Sequence, residues 1–119
     1  IQYAHARIKT LISKSSLSEA EIMGADLKNL DENANTLLFD ALLLPEIVDD
    51  AFESRQVQKL TDYLKALAAS LHKFYYDVRI IGSVDEAKLV KVLQVVALSI
   101  KTGLSLLGID AKDSMSKDE

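Results

Sequence analysis

A run of apolar residues at alternating spacings of three and four most constrains how this chain folds. The run covers about 18 residues, and that period places all its members on one face of an α-helix. A second stretch, residues 89–100, is apolar apart from Lys91, Gln94 and Ser99. We therefore predict two long helices packed into a helical core. The members of the first run are Val57, Leu60, Leu64, Leu67, Leu71 and Phe74.

Start and stop signals predict further helices around these two. Ser18 and Glu21 form a capping box, Asp31 is a cap residue, and Pro45 suits the first turn of a helix. Gly108 is a typical residue for ending the last helix. The predicted helices run from about Gln2 to Lys14, from Ser18 to between Gly24 and Leu27, from Asp31 to about Leu43, from Pro45 onward, along the apolar run from Val57, and from about Glu86 to Leu107.

Each short helix has an apolar side that should face the core. The last helix is apolar almost all round, so we expect it at the centre. Short connections and the lack of a two-residue alternation favour an all-α antiparallel helical bundle of about five to six helices. The expected buried sides are Ala4, Ile8, Leu11 and Ile12 in the first helix, Leu37, Leu38, Ala41 and Leu42 in the third, and Ile47, Val48, Ala51 and Phe52 in the fourth.

The length of 119 residues fits one domain, residues 1–119. Ile1 already lies within a helical pattern, which suggests a fragment of a longer polypeptide. The chain has no cysteine, which excludes disulfides and thiolate metal sites. Because the most apolar stretch contains Lys91 and Gln94, we interpret it as a core helix and not as a membrane span.

Charge is segregated along the chain, although the net charge is −4. Residues 15–53 hold ten acids against a single base, Lys28, whereas residues 1–14 hold three bases and no acid. Residues 54–101 also have more bases than acids. Nucleic acid responds to the local field of a basic patch, so a negative total does not exclude RNA as a ligand.

Four sequence patterns occur in a fixed order: QYAHARI near the start, YLKALA continuing to KFY, GLSLLGI, and a late methionine, Met115. Together they cover nearly the whole chain. In this order the patterns resemble the C-terminal anticodon-binding domain of arginyl-tRNA synthetases, a helical domain named DALR. Each pattern alone is weak, but four in register make the resemblance specific.

The resemblance implies a function that periodicity does not give. It implies that the chain holds the anticodon stem-loop of arginine tRNA and reads the middle base with a pocket including Tyr75 and Met115. The implied partners are arginine tRNA and the catalytic body of the same polypeptide, in the cytoplasm, with neither membrane nor DNA. ATP with magnesium would serve the catalytic domain, and this domain would need no cofactor. The expected tRNA-binding residues are Tyr3, Arg7, Lys14, Lys73, Tyr75, Tyr76, Arg79, Lys88 and Met115.

The residues themselves support part of this assignment. Tyr75 and Tyr76 turn away from the apolar run that ends at Phe74, and Lys73 and Arg79 flank them. An exposed ring beside cations offers an RNA base a stacking face and offers its phosphates a counter-charge. Two adjacent tyrosines half-buried at a helix end would give the same pattern. On the first helix Tyr3, Arg7, Thr10 and Lys14 form one stripe opposite the apolar side.

The sequence gives no sign of catalysis in this chain. The two histidines, His5 and His72, lie on different predicted helices with no third ligand spaced beside them. The adenylation signature HIGH is absent, and residues 114–117 match the signature KMSKS only in part and at the wrong end. We therefore expect the chain alone to be non-catalytic.

Two alternatives remain open from the sequence. Besides the arginyl-tRNA synthetase domain, these are the anticodon domain of a related enzyme (cysteinyl- or methionyl-tRNA synthetase, or the glycyl enzyme's beta subunit) and a helical protein-interaction module. Val95, Leu98 and Leu106 also form an apolar strip within the polar side of the last helix. This strip either packs under a neighbouring loop or docks against the rest of the enzyme.

Overall fold

The structure is a computed structural model that describes residues 1–112. These residues form six helices with no strand, which confirms the all-α prediction and its boundaries to within a few residues. Met115, which is predicted to line the base pocket, lies outside the described residues, as do residues 116–119. The helices are α1 (Gln2–Lys14), α2 (Glu19–Met23), α3 (Glu32–Leu42), α4 (Leu44–Glu53), α5 (Gln58–Asp77) and α6 (Glu86–Leu106).

The predicted capping signals act as expected. Ser18 and Glu21 form a reciprocal capping box at the start of α2, and the Asp31 carboxylate accepts from the Asn33 N–H at the start of α3. At the end of α6, Gly108 has φ 79°, a conformation that most side chains disfavour. The N–H groups of Gly108 and Ile109 bond back to Ser105 and Leu104, which is the Schellman pattern that ends a helix.

α6 is the central helix of the bundle and contacts α1, α2, α3 and α5. By length and hydropathy it could cross a membrane, but half of its most apolar window is buried among these helices. Gly103 allows α5 to approach closely, since a Cβ at this position would lie 2.7 Å from Leu64. The buried residues of α6 are Glu86, Leu89, Val90, Val92, Leu93, Val96, Ala97, Ser99, Ile100, Gly103 and Leu104.

Most of the predicted core is buried, but three predicted core positions are wrong. Val57 precedes the first turn of α5 and is 52% exposed, so the buried seam begins at Leu60. Leu42 and Phe52 are 60% and 57% exposed. α3 and α4 are short and each packs on its neighbours along a narrow stripe, so the flank of each apolar side stays outside. Leu44 is buried in their place.

The helix directions are mixed. α1 and α6 are antiparallel, because Ser15 contacts Glu86 while Gln2 contacts Asp110. α3 and α6 run the same way: Lys88 bonds to the Lys28 carbonyl, and Ser99 bonds to the Ala41 carbonyl further along both. The bundle is therefore antiparallel only for some of its pairs.

The apolar strip on α6 is not part of the core. Leu98 is 63% exposed, Leu106 is 46% exposed, and Val95 is half-buried. This exposure is what a docking surface requires. The docking itself stays a prediction.

Candidate nucleic-acid interface

The QYAHAR stretch of α1 divides between two faces of the helix. Tyr3 and Arg7, four residues apart, point toward α5, where they meet His72 and Tyr75. Gln2 and His5, three residues apart, instead hold the segment that follows α6. One short stretch of sequence thus serves two different contacts.

Arg7 is the centre of the first contact. Its guanidinium carbon lies 3.9 Å from the centroid of the Tyr75 ring and 6.0 Å from that of Tyr3. These distances are within the range of cation–π attraction, and the planar guanidinium suits stacking on a ring. Arg7 and Tyr75 are both half-buried. The cation is therefore placed by protein contacts before any ligand arrives.

His72 completes this group of side chains, although it is not among the tRNA-binding residues expected from the sequence. Its Nδ1 lies 3.1 Å from an Arg7 guanidinium nitrogen, and its ring centroid lies 5.5 Å from that of Tyr3. Burial, followed by the nearby Arg7 charge and the Ile1 amino group, holds the pKa of His72 below its usual value. Its spacing of three from Tyr75 was the available signal. We call Tyr3, Arg7, His72 and Tyr75 the ring–cation cluster.

The structure separates the three aromatic residues at the end of α5. Phe74 is buried in the core, as predicted. Tyr75 is half-buried and packs against the core edge, whereas Tyr76 is 89% exposed. Tyr75 thus has a fixed ring beside a cation, and Tyr76 offers a ring open to solvent.

Gln2 and His5 hold the segment after α6 by its backbone. The Gln2 amide donates to the Asp110 carbonyl and accepts from the Lys112 N–H at 2.9 Å. The buried His5 bonds through Nδ1 to the Lys112 carbonyl at 2.6 Å. A carbonyl only accepts, so His5 carries a proton on Nδ1. These bonds bring the end of the described chain onto α1. Met115 lies outside the described residues, so its approach to Tyr75 stays a prediction.

The other predicted cations are not in the ring–cation cluster. Lys14 is exposed at the far end of α1. Lys73 is exposed beside Asp40 and Asp77, where it lines a groove of about 180 Å³ between α3 and α5. The acids reduce the local field there.

Arg79 and Lys88 both bond to backbone. Exposed Arg79 donates from Nε to the Ile81 carbonyl at 3.3 Å. Half-buried Lys88 donates to the Lys28 carbonyl at 3.0 Å. Phosphate contact by Arg79 and tRNA binding by Lys88 stay predictions.

The turn that carries Arg79 is tied to the end of α1 through Glu86. The Ser15 hydroxyl donates to one Glu86 oxygen at 2.6 Å, and the Gly82 N–H donates to the other at 2.7 Å. These two bonds, first that from Gly82 and then that from Ser15, hold the pKa of Glu86 below its usual value. The turn is thus fixed beside Lys14.

The described residues, 1–112, contain no group of three or more His, Cys, Asp or Glu side chains placed to hold a metal ion. The ring–cation cluster instead offers aromatic rings and a positive charge held in a fixed position. Such an arrangement suits the binding of unstacked bases and phosphates.

Comparison with known proteins gives a consistent result. The sequence profile of the DALR anticodon-binding domain matches residues 1–115. The arginine–tRNA ligase of Sulfurimonas denitrificans is 75% identical over the whole chain, which spans 23% of that protein. The arginine–tRNA ligase of Campylobacter curvus is 57% identical over 97% of this chain and 22% of its own length.

Two solved structures have the same fold. A crystal structure from Campylobacter jejuni, assigned as an arginyl-tRNA synthetase, matches with a TM-score of 0.91 and 48% identity, over 96% of this chain and 25% of that one. The Thermus thermophilus arginyl-tRNA synthetase matches with a TM-score of 0.79 and 31% identity, over 96% of this chain and 20% of that one. The chain spans only about a fifth to a quarter of the length of these relatives.

Proposed function

The chain belongs to the DALR anticodon-binding domain family, and on that premise we propose that it binds the anticodon stem-loop of arginine tRNA as the recognition domain of an arginine–tRNA ligase. The full-length enzyme would act in the cytoplasm and would use ATP with magnesium to attach arginine to that tRNA. This chemistry would belong to its catalytic body, because the sequence lacks the adenylation signature HIGH and the described residues, 1–112, offer groups suited to binding.

The ring–cation cluster is the observation that carries the proposal. Tyr75 is half-buried with the Arg7 guanidinium over its ring, and Arg7 also bonds to His72, which lies beside the Tyr3 ring. RNA-binding proteins recognise unpaired bases by stacking them on aromatic rings or guanidinium planes. A pre-assembled cluster lowers the entropic cost of ordering these side chains on binding. We therefore place the reading of the middle anticodon base, a cytosine, at this cluster, with Met115 as a further wall.

The remaining predicted cations would position the stem-loop. Lys14, Lys73, Arg79 and Lys88 lie outside the ring–cation cluster, so they suit phosphate contacts, which fix orientation but carry no sequence information. Lys14 and the Arg79 turn lie near each other because Ser15 and Gly82 share Glu86. Exposed Tyr76 would stack on a neighbouring base.

The test is a binding titration of an arginine-tRNA anticodon stem-loop against versions with a changed middle base. Tyr75→Ala should weaken binding of the cognate loop by roughly 1–3 kcal/mol, the usual range for a base–aromatic stack. Phe39→Ala on α3, which removes a ring that is 64% exposed, is the matched control and should change nothing. Equal binding of all loops by the unchanged protein would overturn the proposal.

A protein-interaction role has one observation in its favour. Phe39, Leu42 and Leu98 are each at least 60% exposed, which is unusual for large apolar residues. We propose that the α6 strip of Val95, Leu98 and Leu106 docks against the catalytic body of the same polypeptide. Protection of Leu98 from solvent in the full-length enzyme, with exposure in the isolated chain, is the expected result.

A further inference from the structure

We propose that His72 is a positioning residue of the anticodon site: its neutral imidazole accepts a hydrogen bond from Arg7 and so holds the guanidinium against Tyr75. The inference rests on the anticodon function proposed above and adds a residue to that site. It also makes base recognition dependent on the protonation state of one histidine.

The first step is the tautomer of His72. Arginine has only N–H donors, so the nitrogen facing it must be an acceptor. Nδ1 lies 3.1 Å from the Arg7 nitrogen and is therefore unprotonated, which leaves the ring proton on Nε2. A protonated ring has no acceptor at all. This contact therefore exists only while His72 is neutral.

The second step is the freedom that Arg7 would otherwise have. An arginine side chain has several rotatable bonds and loses considerable entropy when it is fixed. A ring stack alone lets the guanidinium slide and rotate in its plane, since every orientation keeps the cation on the ring. A hydrogen bond from one guanidinium nitrogen to His72 fixes that rotation. The remaining N–H groups then point in set directions.

The third step is the charge around His72. From α1 it faces the Arg7 cation, the Tyr3 ring and the amino group of Ile1, and on its own helix Tyr75 lies one turn further on. Both charges are positive. Burial first, and then these two charges, hold the pKa of His72 below its usual value, which favours the neutral imidazole. On acidification the protonated ring would repel Arg7 and release it from its fixed orientation.

This gives a pH dependence opposite to that of simple charge attraction. An added positive charge on His72 should strengthen binding to any RNA, because phosphate is negative. Loss of Arg7 orientation should at the same time reduce the preference for the cognate middle base. We expect the preference to fall about two- to tenfold, equivalent to one hydrogen bond, while binding of changed loops holds or rises.

The decisive variants are His72→Asn and His72→Ala. The asparagine side-chain oxygen occupies nearly the place of Nδ1 and accepts a hydrogen bond at every pH. His72→Asn should therefore keep the base preference and remove its loss in acid, whereas His72→Ala should lack the preference throughout. Thr61→Ala, three helical turns earlier on the same face of α5, is the control and should behave as the unchanged protein.

A measurement without RNA separates this inference from the anticodon function. The Tyr75 ring current should shift the NMR signals of the Arg7 side chain. Because the pKa of His72 lies below its usual value, that shift should persist at neutral pH and decline only as the pH falls below about 6.5, where His72 gains a proton. The shift should persist in His72→Asn. The inference would be overturned if the shift stays constant while His72 titrates, or if it persists in His72→Ala. If the shift follows His72 but all stem-loops bind equally, the positioning of Arg7 is upheld and the anticodon function is overturned.

Discussion

At the scale of single residues, the structure changes what Arg7 is expected to do. The sequence places Arg7 among the expected tRNA-binding residues, in one stripe with Lys14, where a cation would ordinarily contact phosphate. In the structure its guanidinium carbon lies over the Tyr75 ring, 3.9 Å from the ring centroid, and the guanidinium bonds to His72. A side chain held by these two contacts is better placed to line a base pocket than to bind the phosphates of the RNA.

Arg7→Lys tests this difference. Lysine keeps the charge but has no planar group to stack and no fork of donors. We expect the substitution to reduce the preference for the cognate middle base by about 1 kcal/mol, as one hydrogen bond and one stack are lost. The salt dependence should stay unchanged. Stem-loop titrations at two salt concentrations measure both, and full retention of preference would return Arg7 to the role of a phosphate contact.

The sequence was informative about these residues to different degrees. Tyr3 and Arg7 share a stripe of α1 by helical spacing alone, and Tyr75 came from the resemblance to the family. His72 was missed because its partner lies 65 positions away in the chain. Helical spacing places it beside Tyr75 but does not say which helix covers that face.

At the scale of elements, side chains from other helices satisfy the end of α3. The Tyr63 hydroxyl donates to the carbonyls of Asp40 and Ala41 at 2.5 and 3.2 Å, and the Ser99 hydroxyl donates to Ala41 at 2.9 Å. The last carbonyls of a helix have no partner within it. Tyr63 and Ser99 thus join α5 and α6 to α3.

Tyr63→Phe should lower the free energy of unfolding by about 1 kcal/mol, because it removes one hydrogen-bond donor from the Asp40 and Ala41 carbonyls, which keep the Leu43 N–H and the Ser99 hydroxyl. Urea unfolding measures this loss. Tyr76→Phe, which changes a ring that is 89% exposed, is the control and should stay within about 0.5 kcal/mol. Equal stability of the two variants would show that water replaces the Tyr63 hydroxyl at no cost.

Tyr63 also makes the stability of the fold depend on pH in the alkaline range. Burial, followed by the Asp40 charge, raises the pKa of Tyr63 to about 12. The unfolded chain ionises this group near pH 10. Its contribution is therefore fully present below about pH 10 and is lost as pH rises through about 12. Tyr63→Phe should lack that part of the alkaline loss of stability.

The segment after α6 is a second case in which side chains hold backbone. Gln2→Glu keeps an acceptor for the Lys112 N–H but sets an oxygen against the Asp110 carbonyl, while a negative charge suits the start of α1. We expect a loss of about 1 kcal/mol in stability with the Lys112 amide still protected from hydrogen exchange. Gln2→Ala should release that amide entirely.

Gln58→Ala, which removes a side-chain bond within α5, is the control for both Gln2 variants. It should leave Lys112 exchange unchanged. Fast exchange at Lys112 in the unchanged protein would show that Gln2 does not hold this segment in solution.

At the scale of the whole molecule, periodicity predicted the helices better than their arrangement. The boundaries follow from local signals such as Ser18, Asp31 and Gly108, which act within a few residues. The parallel course of α3 and α6 depends on contacts about sixty residues apart. For the same reason the exposed flank formed by Leu42 and Phe52 could not be separated from the core by spacing alone.

The charge distribution gives the last prediction. The chain has a net charge of −4, and net charge alone would repel RNA, which is also negative. The acids concentrate in residues 15–53, which form α2, α3 and α4, whereas Arg7 and Lys14 lie on α1 and Arg79 lies on the turn fixed beside its end. A basic surface is thus present on an acidic molecule, and it should bind RNA weakly and with a steep dependence on salt.

With about four phosphate contacts, the slope of log affinity against log salt should be roughly −3, from about −0.7 per contact on single strands. Lys14→Ala should weaken binding of every stem-loop alike and flatten the slope by about 0.7. Lys28→Ala is the matched control, because Lys28 lies within the acidic section, and it should leave the slope unchanged. A Lys14→Ala protein that loses base preference but keeps the full slope would show that Lys14 contacts a base. A slope near zero in the unchanged protein would show that binding depends on stacking at the ring–cation cluster and not on the basic surface.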